Sequence, residues 1–472
     1  MKRETVNIFL HRRDLRATDN LSLQKMVNMD PHTKVLHIFI FNSKQVNPKE
    51  NAYYSKNAVE FMVQSLQDLN MELNDGLHCF HGTDKDILTS LLKLCQVNMI
   101  GFNIDYTPFA RQRDTDLLEW CRKKDINVVY EQDYTLFPIG TITTDKESPY
   151  EVFTPFYNKC ITRSEEILTS SPSFKYDIYH NKQLPGIIKN TERYYGNDRN
   201  YQLAVEGGRK HALNILKQRV VKGEFANYDK YRDFPSMDKT TKLSAYLKFG
   251  CISIREAYHA IKKRYGLRHG LIRELFWREF YANIAYSFPR VLRGQIQEGE
   301  NQAFKEKYDD IKWSYNHDTW TTFITGKTGF PMVDAGVRQL LATGWCHNRS
   351  RMIIAMFASK DLQLPPQVFE KWFATCLIDY DPCSNSGGVQ WAYGIGSDAQ
   401  PYFRIFNPFT QSVKYDPNAV YIKQWIPELR SVPVEDILSW DRAYKKHTSC
   451  FYPPPVVDHS MQAKKVKALF SA

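Results

Sequence analysis

The sequence predicts an α/β domain built on a doubly wound parallel sheet, followed by an all-α domain. Three observations lead there. Up to about residue 130, short apolar runs alternate with amphipathic stretches, the pattern of parallel strands joined by crossover helices. From about 206 to about 405 the apolar spacing is helical. Between them, Pro138, Gly140, Pro149, Pro155, a hydroxyl-rich Thr169–Ser173, Pro185 and Gly186 read as a long connector with little regular structure. The expected division is 1–135, a connector 136–205, and a helical domain 206–472.

Taken in order, the strand-like runs are Val6–Leu10, Val35–Phe41, Leu77–His81, Met99–Asn103 and Val128–Tyr130. Ala58–Leu69 is helical, with Phe61, Met62, Leu66 and Leu69 on one face. No GxGxxG follows the first strand, so the usual dinucleotide fingerprint is absent. The later helices are His211–Val221, Ser253–Tyr265, Leu271–Tyr286, Met332–Thr343 and His347–Ala358. Ser253 and Glu256 have capping-box spacing. Pro331 and Gly344 bracket Met332–Thr343 as start and stop. Gly326-Lys-Thr-Gly329 resembles part of a phosphate loop, but position 321 is Thr, which excludes a P-loop.

With 43% hydrophobic and 24% charged residues in 472, the chain is not mainly disordered. Its longest apolar stretches, such as Met352–Phe357, are too short to span a bilayer. The 63 Lys and Arg against 52 Asp and Glu leave a net charge of +11, which suits a polyanionic partner. The nine cysteines are odd in number and none forms a CxxC. They point to a reducing intracellular compartment, cytoplasm or nucleus, rather than to secretion. No signal-peptide core precedes Val6, so the mature chain is expected to begin near Met1.

Four groups of residues carry chemistry. Glu274, Trp277, Arg278 and Tyr281 form one stripe of a helix. By itself the stripe reads first as a half-buried face with an ordinary Glu274–Arg278 pair, and second as a grip for a base and a phosphate. Asn348, Arg351 and Met352 share a helix face from which Arg349 points away. Asp379 and Asp381 precede Asn385 and Gly387-Gly388, a backbone open to close approach. The acidic pair lacks the Glu of an EF-hand loop, so no metal is expected. Thr240-Thr-Lys-Leu-Ser244 reads first as a set of helix caps and second as phosphate donors.

Together these pieces resemble the photolyase/cryptochrome family. His11-Arg-Arg-Asp-Leu-Arg16 with Asp19-Asn20 resembles its opening strand and turn, and Pro149–Phe156 its connector. Trp277-Arg-Glu-Phe-Tyr281, Gly326–Pro331, Val333-Asp-Ala335, Gly344–Arg349 and Tyr402–Pro408 resemble its flavin domain. The resemblance spans residues 6 to about 430 and implies an α/β antenna domain and a helical domain that binds FAD. It implies FAD contacts at Tyr228, Thr240, Thr241, Lys242, Leu243, Ser244, Asn348, Arg351, Asp379, Asp381 and Asn385. Arg351–Asp379 is the implied ion pair, and Asn385 stands beside flavin N5. Glu274, Trp277, Met352 and Trp391 line the implied substrate cavity; Arg232, Arg349, Arg404 and Lys414 face DNA phosphates.

The implied activity is repair of cyclobutane pyrimidine dimers in DNA, of the class I type. Reduced FAD excited by blue light gives one electron to a flipped-out dimer, the ring opens, and the electron returns. Flipping costs about a few kcal/mol, least for a damaged base. Glu274, Asn348 and Asn385 are the implied catalytic residues, with Glu274 holding the 5′ base. The branch that repairs (6-4) photoproducts carries two His one turn apart. Here those positions are Asn348 and Met352, with His347 off the face.

Two departures accompany the resemblance. The family's class I enzymes relay electrons through three Trp, and the first two positions here are Val389 and Pro366. Trp345 and Trp372 lead the candidate replacements, with Tyr380 and Tyr393 nearby. The antenna site, where Asp105 follows the strand near 103, names no second chromophore. A monomer is expected. The alternative is a cryptochrome-type blue-light photoreceptor, disfavoured because only about 40 residues follow Leu429.

Overall fold

The computed structural model describes residues 3–196, 198–295, 302–399, 401 and 404–471. The strands β1 (Thr5–His11), β2 (Val35–Phe41), β3 (Leu77–His81), β4 (Gln96–Asn103) and β5 (Asn127–Glu131) form one parallel sheet. Its order is β3-β2-β1-β4-β5, with Ile8 of β1 opposite Leu36 on one side and Ile100 on the other. Both faces are covered, so every residue of β2 is buried and the strand reads as an unbroken apolar run. The helices α1 (Leu21–Met29), α2 (Ser43–Val46), α3 (Lys56–Glu72), α4 (Asp84–Leu94) and α5 (Pro108–Lys123) make the crossovers. Side chains of Asn20, Asn42, Ser55, Thr83 and Thr107 cap their N-termini.

The connector holds a ten-residue helix, α6 (Phe153–Thr162), against the expectation of little regular structure. Pro155 falls in its first turn, where the missing N–H leaves no hydrogen bond unmade. That proline marks a helix start, not a break.

The helical part comprises α7 (Arg209–Ile215), α8 (Tyr228–Tyr231), α9 (Ser244–Phe249), α10 (Ile254–Tyr265) and α11 (Gly270–Ser287). It continues with α12 (His317–Ile324), α13 (Pro331–Thr343), α14 (Asn348–Met356), α15 (Pro366–Cys376), α16 (Pro382–Tyr393) and α17 (Pro408–Tyr415), and shorter helices lead to His459–Ser471. The capping box of Ser253 and Glu256 forms at α10, and Gly344 closes α13 at φ 68°. Two helices end earlier than their apolar spacing suggests. Leu216–Val221 and Phe357–Asp361 widen into π turns after α7 and α14. One apolar core runs from α3 through Phe153 and Phe156 to α9, α10 and α11; a second fills the space among α13, α14, α15 and α16.

Candidate active site

Three stretches meet at Asp379. Its carboxylate, buried just before α16, accepts from Arg351 Nη2 of α14 at 2.9 Å and from Ser244 Oγ of α9 at 2.6 Å. Asp381 caps α16: Oδ1 accepts from Ser384 N at 3.0 Å, and Oδ2 from Arg13 Nη2 at 2.7 Å. Burial works against ionisation of Asp381, but Arg13 and Arg278 outweigh it and hold the carboxyl below its usual range. Arg13 lies just beyond β1, so the α/β domain grips the head of the helix that carries buried Asn385. Sequence reading passed over Arg13 because its partner is 368 residues away.

These residues fit the implied FAD on three counts. Thr240 Oγ1 is buried without a hydrogen-bond partner, Thr241 Oγ1 accepts from Leu243 N at 3.4 Å, and no side chain caps α9. Lys242 takes a φ of 53°, and its ammonium pairs with Asp238 at 2.7 Å beside Thr241, Leu243 and Ser244. On α16, Gly388 lies midway between Asn385 and Trp391 on one face, and a Cβ there would meet nothing within 4 Å. Tyr228 is buried with the Arg232 guanidinium over its ring at 5.3 Å.

The cavity side departs from the simple helix reading. Glu274 pairs with Arg232 of the segment after α8, while Arg278 donates to Tyr134 O at 2.6 Å. The i,i+4 pair between Glu274 and Arg278 does not form. Trp277 is half-buried, and Phe153 of α6 lies parallel to it with ring centroids 3.6 Å apart. Met352 Sδ accepts from Asn348 Nδ2 and Arg349 Nη1, each at 3.7 Å. Trp391 is half-buried on α16. His347 caps α14 through Nδ1, and burial pulls its pKa down to about 4, so the ring is neutral.

The cations expected on DNA divide into two kinds. Arg232 holds Glu274, and Arg349 holds Asp233 at 2.7 Å while lying over Tyr415. Arg404 and Lys414 are exposed. Tyr402 and Phe403 of the expected motif lie outside the described residues.

Val389 and Pro366 are buried, and a cavity of about 40 Å³ lies beside Pro366, lined by Trp313, Tyr308, Asp309, Gln367 and Glu370. Trp345 has the paired cations Lys242 and Arg351 at 5.4 and 5.9 Å from its ring centroid. Trp372 sits in an aromatic cluster with Trp320, Phe323 and Phe369. Phe369 leads on to Tyr393, and Tyr393 to Trp313, at 6.1 and 5.3 Å between centroids. At the antenna position, Asp105 is paired with Arg13 at 3.2 Å.

Comparison with known proteins follows the same division. Residues 7–173 match the family model of DNA photolyase, and residues 271–472 that of the FAD binding domain of DNA photolyase. A deoxyribodipyrimidine photo-lyase of Alkalihalophilus pseudofirmus is 34% identical, with 97% of this chain and 96% of the relative covered. One from Escherichia coli is 31% identical, with 99% of both covered. The structure of an archaeal photolyase from Sulfolobus tokodaii, with two FAD molecules, superposes with a TM-score of 0.85 at 31% identity over 99% of each chain. A bacterial class III photolyase from Agrobacterium tumefaciens gives 0.86 at 27%, over 100% of this chain and 98% of that one. With its parallel-sheet domain, its helical FAD-binding domain and relatives matched end to end, the chain belongs to the DNA photolyase family.

Proposed function

We propose that this chain repairs cyclobutane pyrimidine dimers in DNA, using light absorbed by bound FAD. The observation that carries the reading is the shared face of α16. Asn385, the open space at Gly388 and Trp391 follow one another along it, so the floor of the cofactor site runs directly into the wall of the substrate cavity. Bound and reduced, FAD supplies the light-driven electron that opens the cyclobutane ring. The chain's residues bind and orient. Arg351 and Asp379 present a donor and an acceptor to the heteroaromatic edge, with Ser244 fixing the carboxylate. Thr240, Thr241 and Lys242 face the phosphates, with Tyr228 and Leu243 packed beside them. Glu274, braced by Arg232, is aimed at the flipped base, and Trp277, Met352 and Trp391 shape the apolar pocket around it.

The neutral, capping role of His347 and the Asn348–Met352 pair supports cyclobutane dimers over (6-4) photoproducts as substrate. Flavin reduction is proposed to run through Trp372 rather than Trp345. Trp372 opens onto a run of aromatic rings through Phe369 to Tyr393 and Trp313, whereas the Trp345 indole faces Lys242 and Arg351, each already paired with a carboxylate. No identity is proposed for a second chromophore. All nine cysteines are unpaired, which supports a reducing compartment, cytoplasm or nucleus. Among the described residues no helix is long and apolar enough to cross a membrane. The working unit is proposed to be a monomer.

The test uses the flavin-loaded protein with its flavin chemically reduced and an oligonucleotide carrying one thymine dimer. Blue light should restore the thymines, and Glu274→Ala should lower the yield per photon while FAD content stays unchanged. Absence of light-dependent repair by the reduced wild-type protein would sink the reading.

A further inference from the structure

The start of α6 reaches across the helical domain to both sides of the cavity. Val152, its N-cap residue, makes no side-chain cap. Ser397 Oγ donates to Glu151 O at 2.7 Å, and the backbone N–H of Phe153 faces the Asp398 carboxylate. Ser397 and Asp398 lie in the turn just beyond α16, a few residues after Trp391. The Phe153 ring, 5% exposed, lies against the Trp277 indole at 3.6 Å between centroids and 6° between planes. Phe280 meets Phe153 edge-on at 5.8 Å, and Tyr281 stacks on Trp277 at 5.6 Å. Tyr281 in turn is pressed by the backbone of Gly387 on α16. Residues 151–153 of the connector thus touch the Trp277 side through a ring and the turn after α16 through the Ser397–Glu151 hydrogen bond and the Asp398 carboxylate.

From this juxtaposition we propose that Phe153 is a positioning residue for lesion recognition, holding the Trp277 indole in the plane that a flipped pyrimidine dimer meets. The inference rests on the cavity reading given above. An indole already stacked on one face has lost its rotamer freedom before DNA arrives, so ordering it costs nothing on binding. Its plane is also fixed relative to Trp391, because the same strap is tied to the turn after α16. Undamaged duplex does not enter the cavity and gains nothing from this order. Phe153 therefore acts on discrimination between damaged and undamaged DNA, not on general affinity.

The experiment measures dark binding of the FAD-loaded protein to a duplex with one thymine dimer and to the matched undamaged duplex, by fluorescence anisotropy. Phe153→Leu should lower the ratio of the two affinities roughly 2- to 12-fold, the cost of re-ordering one large side chain. Undamaged binding, its salt slope and FAD absorbance should not change, and Phe153→Tyr, which keeps the stack, should restore the ratio. Trp277→Ala is the control for the cavity itself. If Trp277→Ala loses discrimination and Phe153→Leu does not, the inference is overturned and the cavity reading stands. If Trp277→Ala keeps full discrimination, both fail. Should Phe153→Leu lose FAD or not fold, Asp398→Ala replaces it: a lowered ratio with FAD retained supports the strap, and an unchanged ratio overturns it.

Discussion

The two adjacent glycines of α16 give the sharpest test of where the cofactor lies. They face different surroundings, so one added methyl has opposite consequences at each. At Gly388 a Cβ would meet nothing within 4 Å. Gly388→Ala in the FAD-free protein therefore adds no clash, and the helix gains about 0.5–1 kcal/mol from the alanine. If the open space is the flavin floor, the same methyl overpacks the loaded site by about 1–3 kcal/mol. The helix gain is common to both forms and cancels, so FAD affinity should fall roughly 5- to 150-fold. At Gly387 a Cβ would stand 2.5 Å from Tyr281 Cε1 and 2.8 Å from its Cγ, against 3.4 Å for ordinary contact. The ring must retreat by about 1 Å, toward Trp277 and the Phe153 behind it. Gly387→Ala should destabilise the FAD-free protein by about 1–2 kcal/mol after the helix gain is subtracted. The assay is thermal unfolding of the stripped proteins, followed by FAD titration monitored by flavin fluorescence. A Gly388→Ala protein that binds FAD within twofold of wild type would refute the placement of the cofactor on this face. Wild-type stability of Gly387→Ala would refute the packed column through Tyr281.

Four further outcomes follow from the structure. Lys414→Ala removes an exposed cation and should weaken damaged and undamaged DNA binding alike, lowering the salt slope by about one. Arg349→Ala should lower it by clearly less, because Asp233 already neutralises that guanidinium; a full unit would mean that DNA phosphate displaces Asp233. Steady blue-light reduction of oxidised FAD with a thiol donor should slow in Trp372→Phe and not in Trp345→Phe, and the reverse order would refute the route through the aromatic run. Glu279 is buried in α11, where it accepts from Leu136 N at 3.0 Å, and burial pushes its carboxyl up to about 7. A raised folded pKa gives stability that is fully present below the unfolded value and lost as pH rises through about 7. Glu279→Gln should therefore gain thermal stability relative to wild type between about pH 5 and pH 8, and parallel melting profiles would contradict it.

The strands were legible because a parallel sheet covered on both faces writes itself as apolar runs, and β2 and β3 begin and end where those runs do. The helix α10 was legible for a different reason: its capping box lies within four residues. What stayed hidden depends on partners far apart in the chain. The stripe on α11 offered Arg278 as the partner of Glu274, four residues on. The structure gives Glu274 to Arg232, 42 residues earlier, and Arg278 to Tyr134 O at the end of the α/β domain. The helix α6 was obscured by Pro149 and Pro155, since a proline in a first turn and a proline in a loop look alike in sequence. The π turns after α7 and α14 alter the backbone pattern without altering the apolar spacing, so nothing in that spacing announced them. In the candidate site, residue types and order were legible through the family motifs. Their bracing by Arg13, Phe153 and Asp398 was not, because each acts across the boundary that the composition suggested.

That boundary is less of a division than the composition implies. Arg255 of α10 is 1% exposed and donates to Asp19 and Asp133 of the α/β domain, at 3.2 and 2.7 Å. Arg16 pairs with the same Asp133, and Ser253 Oγ donates to Asp19. Two guanidiniums and two carboxylates thus balance in charge at the junction. Burial alone would raise the Asp133 carboxyl, yet Arg16 and Arg255 hold it below its usual range. Such a set adds little net stability over apolar packing, but removing one member leaves a buried charge at a cost of about 3–5 kcal/mol. A docking of the two domains that unpairs any member is disfavoured by that amount. The docking matters to the site because Arg13, three residues before Arg16, caps α16 through Asp381. A shift of the α/β domain moves the helix that carries Asn385 and Trp391, so the helical domain cut at about residue 206 would lose both the Arg13 partner of the Asp381 cap and the partners of Arg255.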